Sequence, residues 1–380
     1  MKGRGGLKLL FATLTVVVIF LASCRKEDEN AKHNPTSTYV PTNIDPGTIF
    51  PAELGMPSLP SDNPLTVEGV YLGRMLFYDP ILSYDSSISC ASCHKQEYAF
   101  SDPVALSPGA FGLKTKRNAP SLFNMAYSKH FFWDGRVTNL RDLVFEPIQA
   151  HNEMAMTLPK LEGKLKNVSR YIDYFNKAFG HAPNLVDMSK AMEQFMLTIV
   201  SDGSRFNKFF PGDSIQLFNM SELRGAQIFN GLVNFDPITK FTPGADCFHC
   251  HGGELAQQQN FNMGGVANNG LDVVLTDLGY GGIINDPKRY GTFKAPSLLN
   301  IALTAPYMHD GRFNTLDEVI EHYSDKMNFN SPNIHSLISS HGGIQLNLTA
   351  EQKANLKAYL MTMTDNKLIT NPAYSNPFKK

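Results

Sequence analysis

The sequence is poor in charge of either sign and in strand-like patterns. Only 18% of its 380 residues are charged, and the formal net charge is −1. No cluster of basic side chains stands out, which argues against nucleic acid as a partner. Stretches of alternating polar and apolar residues, the pattern of a half-buried β-strand, are few. These absences favour a mainly α-helical protein with long loops.

Long apolar runs are also scarce. The run at 9–21 follows a basic segment and is too short for a comfortable membrane span, so it is typical of an export signal. It ends in LASC, which is similar to a bacterial lipobox, although a plain buried cysteine in a signal anchor is the alternative. We predict a lipoprotein signal peptide over 1–23, lipidation of Cys24 and a flexible tether over 24–60. The mature protein is then expected to be exported and lipid-anchored in the cell envelope, facing the periplasm or the cell surface.

Helical spacing is the clearest local pattern. Apolar residues recur at helical positions from Met192 to Ile199, after a cap predicted at Ser189. Thr349 and Gln352 predict a capping box at the start of a final helix. These segments support the mainly α fold class.

Four of the five cysteines fall in two CxxCH motifs. Two thiols three positions apart reach the two vinyl groups of one porphyrin, and the histidine that follows is placed to bind the iron. We therefore predict two covalently bound haem c groups. A redox CxxC pair and half of a zinc site are the alternatives. The predicted attachment residues and proximal ligands are Cys90, Cys93, His94, Cys247, Cys250 and His251.

A segment of the chain occurs twice. Residues 119–144 and 295–320 align without a gap at an offset of 176, with 10 identities in 26 positions. Each copy follows a CxxCH motif, so we predict two homologous cytochrome c-type haem domains, 61–215 and 216–370. The motifs themselves are only 157 residues apart, which leaves about 19 extra residues in the second copy. Their Gly/Asn-rich composition predicts a loop.

Several segments, in this order, resemble the bacterial di-haem cytochrome c peroxidases and the related MauG enzymes. They are LGRMLFYDPILS, the first CxxCH, RNAPSLFN, FWDGR, EPIQAHNEM, the second CxxCH and FKAPSLLNIALTAPYMHDGR. The resemblance covers roughly 65–325. It implies reduction of hydrogen peroxide with electrons from a small cytochrome, a cupredoxin or a quinol pathway. A homodimer is compatible with it, since related enzymes often dimerise.

The resemblance implies roles for single residues. His94 would bind the iron of the peroxidatic haem, and His251 that of the electron-transfer haem. Trp133, the only tryptophan, would relay electrons between them. Glu153 would act as the distal acid and base, and burial beside haem should raise its pKa. Glu146 is the nearest alternative carboxylate.

The same resemblance implies a calcium ion between the domains. The side chain of Asn118 and the backbone carbonyls of Thr304 and Pro306 would be its ligands, and such oxygen ligands suit a hard cation. The sequences N-A-P and T-A-P are also ordinary turn sequences, so a turn without an ion is the alternative.

The first departure from the family pattern lies on the distal side of the first haem. Many of these peroxidases carry a blocking histidine there, and the matching position in this chain is Ala110. No His or Met occurs between Lys95 and Arg117. We therefore expect an iron that is open or water-bound even when it is oxidised. The other donors on this stretch are Tyr98, Lys114 and Lys116.

The second departure concerns the sixth ligand of the second haem. The family usually has a methionine, whereas counting from His309 gives Tyr323, as in MauG. The repeat offset agrees, because 323 lies 176 after Pro147, which would pack near the distal face of the first haem. Tyrosine would lower the haem potential relative to methionine. Met308 and Met327 are the alternatives.

Three functions remain in competition. The leading one is a peroxidase. A MauG-like enzyme that oxidises a protein side chain is favoured by the missing histidine and by Tyr323. A pure electron-transfer cytochrome is the third, and Glu153 argues against it because an electron carrier needs no distal acid.

Overall fold

Helices dominate the structure, a computed structural model that describes residues 39–209, 217–231, 244–257, 265–339 and 345–379. The strands in these ranges are two residues long: β1 (Val266–Ala267) and β2 (Phe293–Lys294) pair antiparallel. The mainly helical prediction is therefore confirmed. The predicted signal peptide and the predicted lipidation site Cys24 lie outside the described residues. Within the described residues, no helix is both long and apolar enough to span a membrane.

The α-helices fall into two sets along the chain. The first set is α1 (Val67–Tyr78), α2 (Cys90–Cys93), α3 (Leu140–Gln149), α4 (Leu158–Lys166), α5 (Ser169–Phe179), α6 (Leu185–Thr198) and α7 (Arg205–Phe209). The second set is α8 (Met220–Phe229), α9 (Phe248–His251), α10 (Gly279–Ile284), α11 (Leu316–Glu321), α12 (Ser336–Ser339), α13 (Ala350–Met361) and α14 (Asn366–Thr370).

Side-chain caps decide where the long helices begin. The capping box predicted for Thr349 and Gln352 is present at the start of α13. The cap predicted at Ser189 is wrong, because α6 is capped five residues earlier by Asn184, whose Oδ1 accepts from the backbone N–H of Asp187 at 3.0 Å. Ser189 instead donates to the carbonyl of Val186 within the helix. Serine inside a helix makes such backward bonds, so a serine does not by itself mark a start.

Each set is organised around one crossing of two long helices. Helix α1 packs on α6, and α8 packs on α13. A glycine stands at each crossing: a Cβ on Gly73 would lie 2.0 Å from the carbonyl oxygen of Ala191, and one on Gly225 would lie 2.0 Å from that of Asn355. The two helix pairs therefore approach backbone to backbone, which only glycine permits.

Two backbone hydrogen bonds join the chain segments that contain the two repeated stretches. The backbone N–H of Asn118 donates to the carbonyl of His309 at 2.8 Å, and that of Lys294 donates to the carbonyl of Trp133 at 2.7 Å. At the offset of 176, Asn118 corresponds to Lys294 and Trp133 to His309, so the two bonds are reciprocal, as in a two-fold contact. The described residues belong to one compact unit, and the boundary at 215/216 stays a prediction.

An arginine also links the two copies. The guanidinium of Arg117 makes two bonds, 2.7 and 2.8 Å, to the carboxylate of Asp277. It also bonds Asp134, whose side chain is almost fully buried, and lies over the ring of Phe293. Arg117 and Asp134 come from the first copy and Asp277 from the second, so this ion pair network fixes the copies against each other.

Candidate functional site

Both CxxCH motifs open into one large cavity of about 1100 Å³. Side chains from both copies of the repeat contribute to its wall, which is mostly apolar. All six predicted haem residues lie on it, together with Trp133, Glu153 and Tyr323. The structure thus brings together residues that the sequence spreads over more than two hundred positions.

The first motif forms the short helix α2 and ends at His94. Ser89 and Ser92 make a capping box at its start. The Nδ1 of His94 lies 2.9 Å from the carbonyl oxygen of Phe100. A carbonyl only accepts, so Nδ1 carries the proton and Nε2 keeps the lone pair that an iron ligand needs. Burial lowers the pKa of His94, which favours this neutral form.

The second motif repeats this arrangement. Helix α9 ends at His251, whose Nδ1 donates to the carbonyl oxygen of Pro296 at 3.0 Å. Burial lowers the pKa of His251 to about 4, and the ammonium of Lys294 adds to the effect. Both histidines are therefore neutral imidazoles at physiological pH, with Nε2 available to a metal.

The surroundings of the four motif thiols favour covalent haem over a zinc or redox site. Burial raises the pKa values of Cys90 and Cys247 to about 12 and that of Cys93 to about 11, with a rise at Cys250 as well. Zinc binding and thiol exchange both need thiolates. In the described ranges no group of three or more His, Cys, Asp or Glu is arranged to hold a metal ion. Uncharged thiols beside a large apolar cavity and a free Nε2 fit covalent haem instead.

Glu153 lies in the turn that follows α3, on the wall of the same cavity. Its side chain is half-buried, and burial raises its pKa, as sequence reasoning expected. Arg136 opposes this rise and Glu146 adds to it. The alternative, Glu146, is engaged elsewhere: its exposed carboxylate accepts from Nε of Arg136 at 3.0 Å. Of the two carboxyls, only that of Glu153 therefore lies on the cavity wall.

Ala110 lies directly beside Glu153. Its side chain is fully buried, and its backbone N–H donates to the carbonyl of Glu153 at 2.6 Å. The family's blocking position thus borders the distal turn but offers no ligand. Of the other donors, Lys116 contributes to the cavity wall with an exposed side chain, while Tyr98 and Lys114 are not among its lining residues.

Trp133 is held at the boundary of the two copies. Its Nε1 donates to the carbonyl of Asn118 at 2.9 Å, and its own carbonyl accepts from Lys294 of β2. The indole therefore cannot turn away from the cavity wall without losing a hydrogen bond. A position on the wall of the cavity that both motifs share is compatible with a relay.

The three predicted calcium ligands lie on the wall of this cavity. The amide nitrogen of Asn118 donates to the carbonyls of Val104 and Ala105 at 3.1 and 3.3 Å. Its Oδ1 therefore faces away from that loop. Thr304 and Pro306 follow the short turn after Asn300 in the second copy. The structure brings the three residues to one cavity, and the ion itself stays a prediction.

Tyr323 lies in a π-helical segment, His322–Lys326, that continues α11. Its hydroxyl accepts from Nδ2 of Asn269 at 3.0 Å. Burial raises its pKa to about 12, although the bond from Asn269 opposes the rise. Met308 and Met327, the alternatives, are on the same wall. His322 points elsewhere, with Nε2 donating to the carbonyl of Asn269 at 3.0 Å.

Sequence reasoning missed Asn269, Arg117 and Asp277 as parts of the site. Asn269 belongs to the Gly/Asn-rich insertion of the second copy, which the sequence predicted only to be a loop. Its presence in the second copy alone was the feature that could have pointed to a role there. Arg117 stood inside the RNAPSLFN segment but had no assigned partner. Its partner Asp277 is 160 residues away in the sequence.

Paired attachment motifs, two neutral histidines and a shared cavity define a helical protein that carries two covalent haems. A sequence profile of the di-haem cytochrome c peroxidase family, which includes MauG, matches residues 67–215. The methylamine utilization protein MauG of Methylophilus methylotrophus is 30% identical, aligned over 75% of this chain and 80% of its own length. Cytochrome c551 peroxidase of Nitrosomonas europaea is 31% identical, over 77% and 79%.

A solved structure is similar over nearly its whole length. A MauG-like protein associated with microbial copper homeostasis superposes with a TM-score of 0.75 and 31% sequence identity, covering 87% of this chain and 99% of that one. The present chain belongs to the di-haem cytochrome c peroxidase and MauG family. Membership implies two haem groups, in agreement with the motifs and the cavity.

Proposed function

We propose that the protein is a di-haem c-type peroxidase that reduces hydrogen peroxide to water. Each peroxide takes up two electrons and two protons and gives two water molecules. The haem iron supplies the redox chemistry when it is bound. The observation that carries the proposal is the half-buried carboxyl of Glu153, with a raised pKa, in the cavity that also holds His94.

Glu153 supplies the proton transfer that the reaction needs. Cleavage of the O–O bond requires a proton to move from the near oxygen of the peroxide to the far one. A carboxyl near its own pKa accepts the first proton and donates it again. Ala110 supports this role because its methyl group leaves the distal side without a blocking side chain.

Trp133 supplies the connection between the two sites. We assign electron uptake to the side of His251 and peroxide reduction to the side of His94, with Trp133 as the relay. The hydrogen bond from the indole to Asn118 and the bond from Lys294 to the backbone carbonyl of Trp133 support this assignment. The donor would be a small cytochrome, a cupredoxin or a quinol pathway.

Further parts of the proposal concern the surroundings of the two haems. Tyr323 is proposed as the sixth ligand of the second haem, and Asn118, Thr304 and Pro306 as ligands of one calcium ion. Removal of calcium with a chelator should slow peroxide turnover, and added calcium should restore it. Unchanged turnover in calcium-free protein, verified by elemental analysis, would reject the ion. The lipid anchor at Cys24 and a homodimer complete the proposal.

A MauG-like function is the second candidate. Ala110 offers no blocking ligand, and Tyr323 reaches the cavity of the second haem. In this alternative, peroxide equivalents would be used to oxidise a side chain of another protein. The similarity to both MauG and named peroxidases is compatible with either candidate.

One experiment separates these functions. The fully oxidised protein is examined by optical and EPR spectroscopy, and stoichiometric hydrogen peroxide is then added before any reductant. A high-spin signal that reacts at once, and recovers on addition of a cytochrome donor, supports the peroxidase. A long-lived oxidised state favours the MauG-like enzyme. Two low-spin haems that stay inert after half-reduction would reject both and leave an electron carrier.

A further inference from the structure

Asn269 contacts both Tyr323, the proposed sixth ligand of the second haem, and Met308, one of the alternatives. Its Nδ2 is 3.0 Å from the hydroxyl oxygen of Tyr323 and 3.6 Å from the sulfur of Met308. Both side chains are on the cavity wall, where the thiols of the second CxxCH motif also lie. The side-chain amide of Asn269 is therefore in contact with both the phenol of Tyr323 and the thioether of Met308.

The chemistry of the two neighbours fixes what this amide does. A thioether sulfur accepts hydrogen bonds and cannot donate them, so the amide nitrogen of Asn269 must face the pair. Its two N–H groups allow one bond to each neighbour. The bond to Met308 engages one of the two lone pairs on the sulfur and holds the thioether against the amide. The bond to Tyr323 is the shorter one, 3.0 against 3.6 Å, so the amide holds the phenol oxygen more closely while leaving a further lone pair on that oxygen unused.

The segment around Asn269 is fixed by several hydrogen bonds. The carbonyl of Asn269 accepts from Nε2 of His322, the residue next to Tyr323. The backbone N–H of Gly270 donates to Oδ1 of Asn268 at 2.9 Å, and the carbonyl of Gly270 accepts from Asn328 at 2.9 Å. Asn269 therefore holds a defined position relative to Tyr323, because it makes one hydrogen bond to Tyr323 and one to the neighbouring His322.

We propose that Asn269 is a positioning residue that selects Tyr323 over Met308 as the sixth ligand of the second haem. The inference rests on the proposed function, in which Tyr323 occupies that position. Outer-shell donors of this kind orient ligands and tune metal sites. Asn269 belongs to the insertion that the first copy lacks, and the residue that corresponds to Tyr323 there is Pro147, which has no ligand atom. The insertion and the ligand it orients are thus both specific to the second copy.

The test uses the full holoprotein with both haems attached. Asn269→Leu removes the amide without leaving a hole, and Asn269→Asp keeps the shape but removes the donor in case the leucine variant does not fold. Both should move the second haem from tyrosine to methionine ligation in most molecules. The readouts are the far-red sulfur-to-iron band, EPR of the oxidised protein, and the midpoint potential, which should rise because thioether ligands raise it.

Three further variants make the outcome specific. Asn330→Leu, at an exposed asparagine whose side chain has no hydrogen-bond partner among the described residues, is the matched control and should keep the wild-type spectrum. Asn269→Leu combined with Met308→Leu should lose the new sulfur band. Tyr323→Phe should change the spectrum of one haem only.

The failures are distinguishable. If Tyr323→Phe leaves the wild-type spectrum unchanged, the tyrosine ligand itself is wrong, and the inference falls with it. If Tyr323→Phe changes the spectrum but both Asn269 variants match wild type, the ligand stands and the selecting role of Asn269 is overturned.

Discussion

At the scale of single residues, Glu153 and Glu146 form a natural comparison. Both residues lie in the EPIQAHNEM segment. The side chain of Glu153 is half-buried on the cavity wall, whereas that of Glu146 is exposed and bound to Arg136. We predict that Glu153→Gln keeps both haems and lowers peroxide turnover by about 100-fold or more, the usual contribution of a positioned acid–base group. Steady-state turnover and haem staining measure the two effects.

Glu146→Gln is the control for this prediction, and it should retain most of the activity. Full activity in Glu153→Gln would reject the assigned role. If both variants lost activity to the same degree, the effect would come from the charge balance around Arg136, and Glu153 would not be the group that transfers the proton.

The raised pKa of Glu153 gives a second prediction at this scale. Burial favours the protonated carboxyl, so the carboxylate that accepts the first proton forms only above the raised pKa. The value of kcat/KM should therefore fall, as pH decreases, at a pH above the ordinary glutamate pKa of about 4.3. A pH profile of initial rates measures this. An acid limb at or below that value would show that burial does not govern the group.

At the scale of elements, the glycines at the helix crossings predict a large and specific effect. A methyl group on Gly73 would overlap the carbonyl of Ala191 in α6. We expect Gly73→Ala to destabilise the holoprotein by about 1–3 kcal/mol, the usual cost of overpacking, and Gly225→Ala to act similarly at the other crossing. Thermal or denaturant unfolding followed by circular dichroism measures the change.

Gly163 in α4 is the matched control for these variants. A Cβ there would meet nothing within 4 Å. Gly163→Ala should therefore stabilise the protein slightly, by up to about 1 kcal/mol, because alanine is the better helix former. If all three glycine variants changed stability equally, the close approach at the crossings would not be the cause.

At the scale of the whole molecule, Arg117 connects the two copies of the repeat. Arg117→Leu leaves the partly buried carboxylate of Asp277 without its cation, whereas Asp134 keeps its bonds to Arg136. We predict a loss of about 1–3 kcal/mol in the free energy of unfolding, the usual cost of removing the partner of a charged hydrogen-bonding group. Arg224→Leu removes an exposed pair with Glu351 and should cost less than about 1 kcal/mol.

The effect of Arg117 should also depend on pH. Burial acts to raise the pKa of Asp277, but the bonds from Arg117 outweigh it and hold the pKa below its ordinary value. The stability that this pair contributes is therefore present above the ordinary carboxylate pKa and is lost as pH falls through the lowered one. Unfolding measured at several pH values should show the difference between wild type and Arg117→Leu shrinking in acid. A constant difference would exclude the ion pair as its source.

The sequence by itself determined the features whose residues are close together in the chain. The spacing of two cysteines and a histidine specifies haem attachment because covalent geometry keeps them within reach of one porphyrin. The repeat offset of 176 identified Tyr323 as the position that corresponds to Pro147, because an ungapped repeat keeps the same spacing between equivalent residues. A capping box, as at Thr349, is equally local.

The tertiary structure alone decided the pairings between distant residues. Asn269 meets Tyr323 across 54 positions, and Arg117 meets Asp277 across 160. Such contacts are set by the path of loops and by which side chains find a buried partner, and no spacing along the chain encodes that path. The sequence therefore specified the residues of haem attachment, and the fold decided which distant side chains contact one another around the shared cavity.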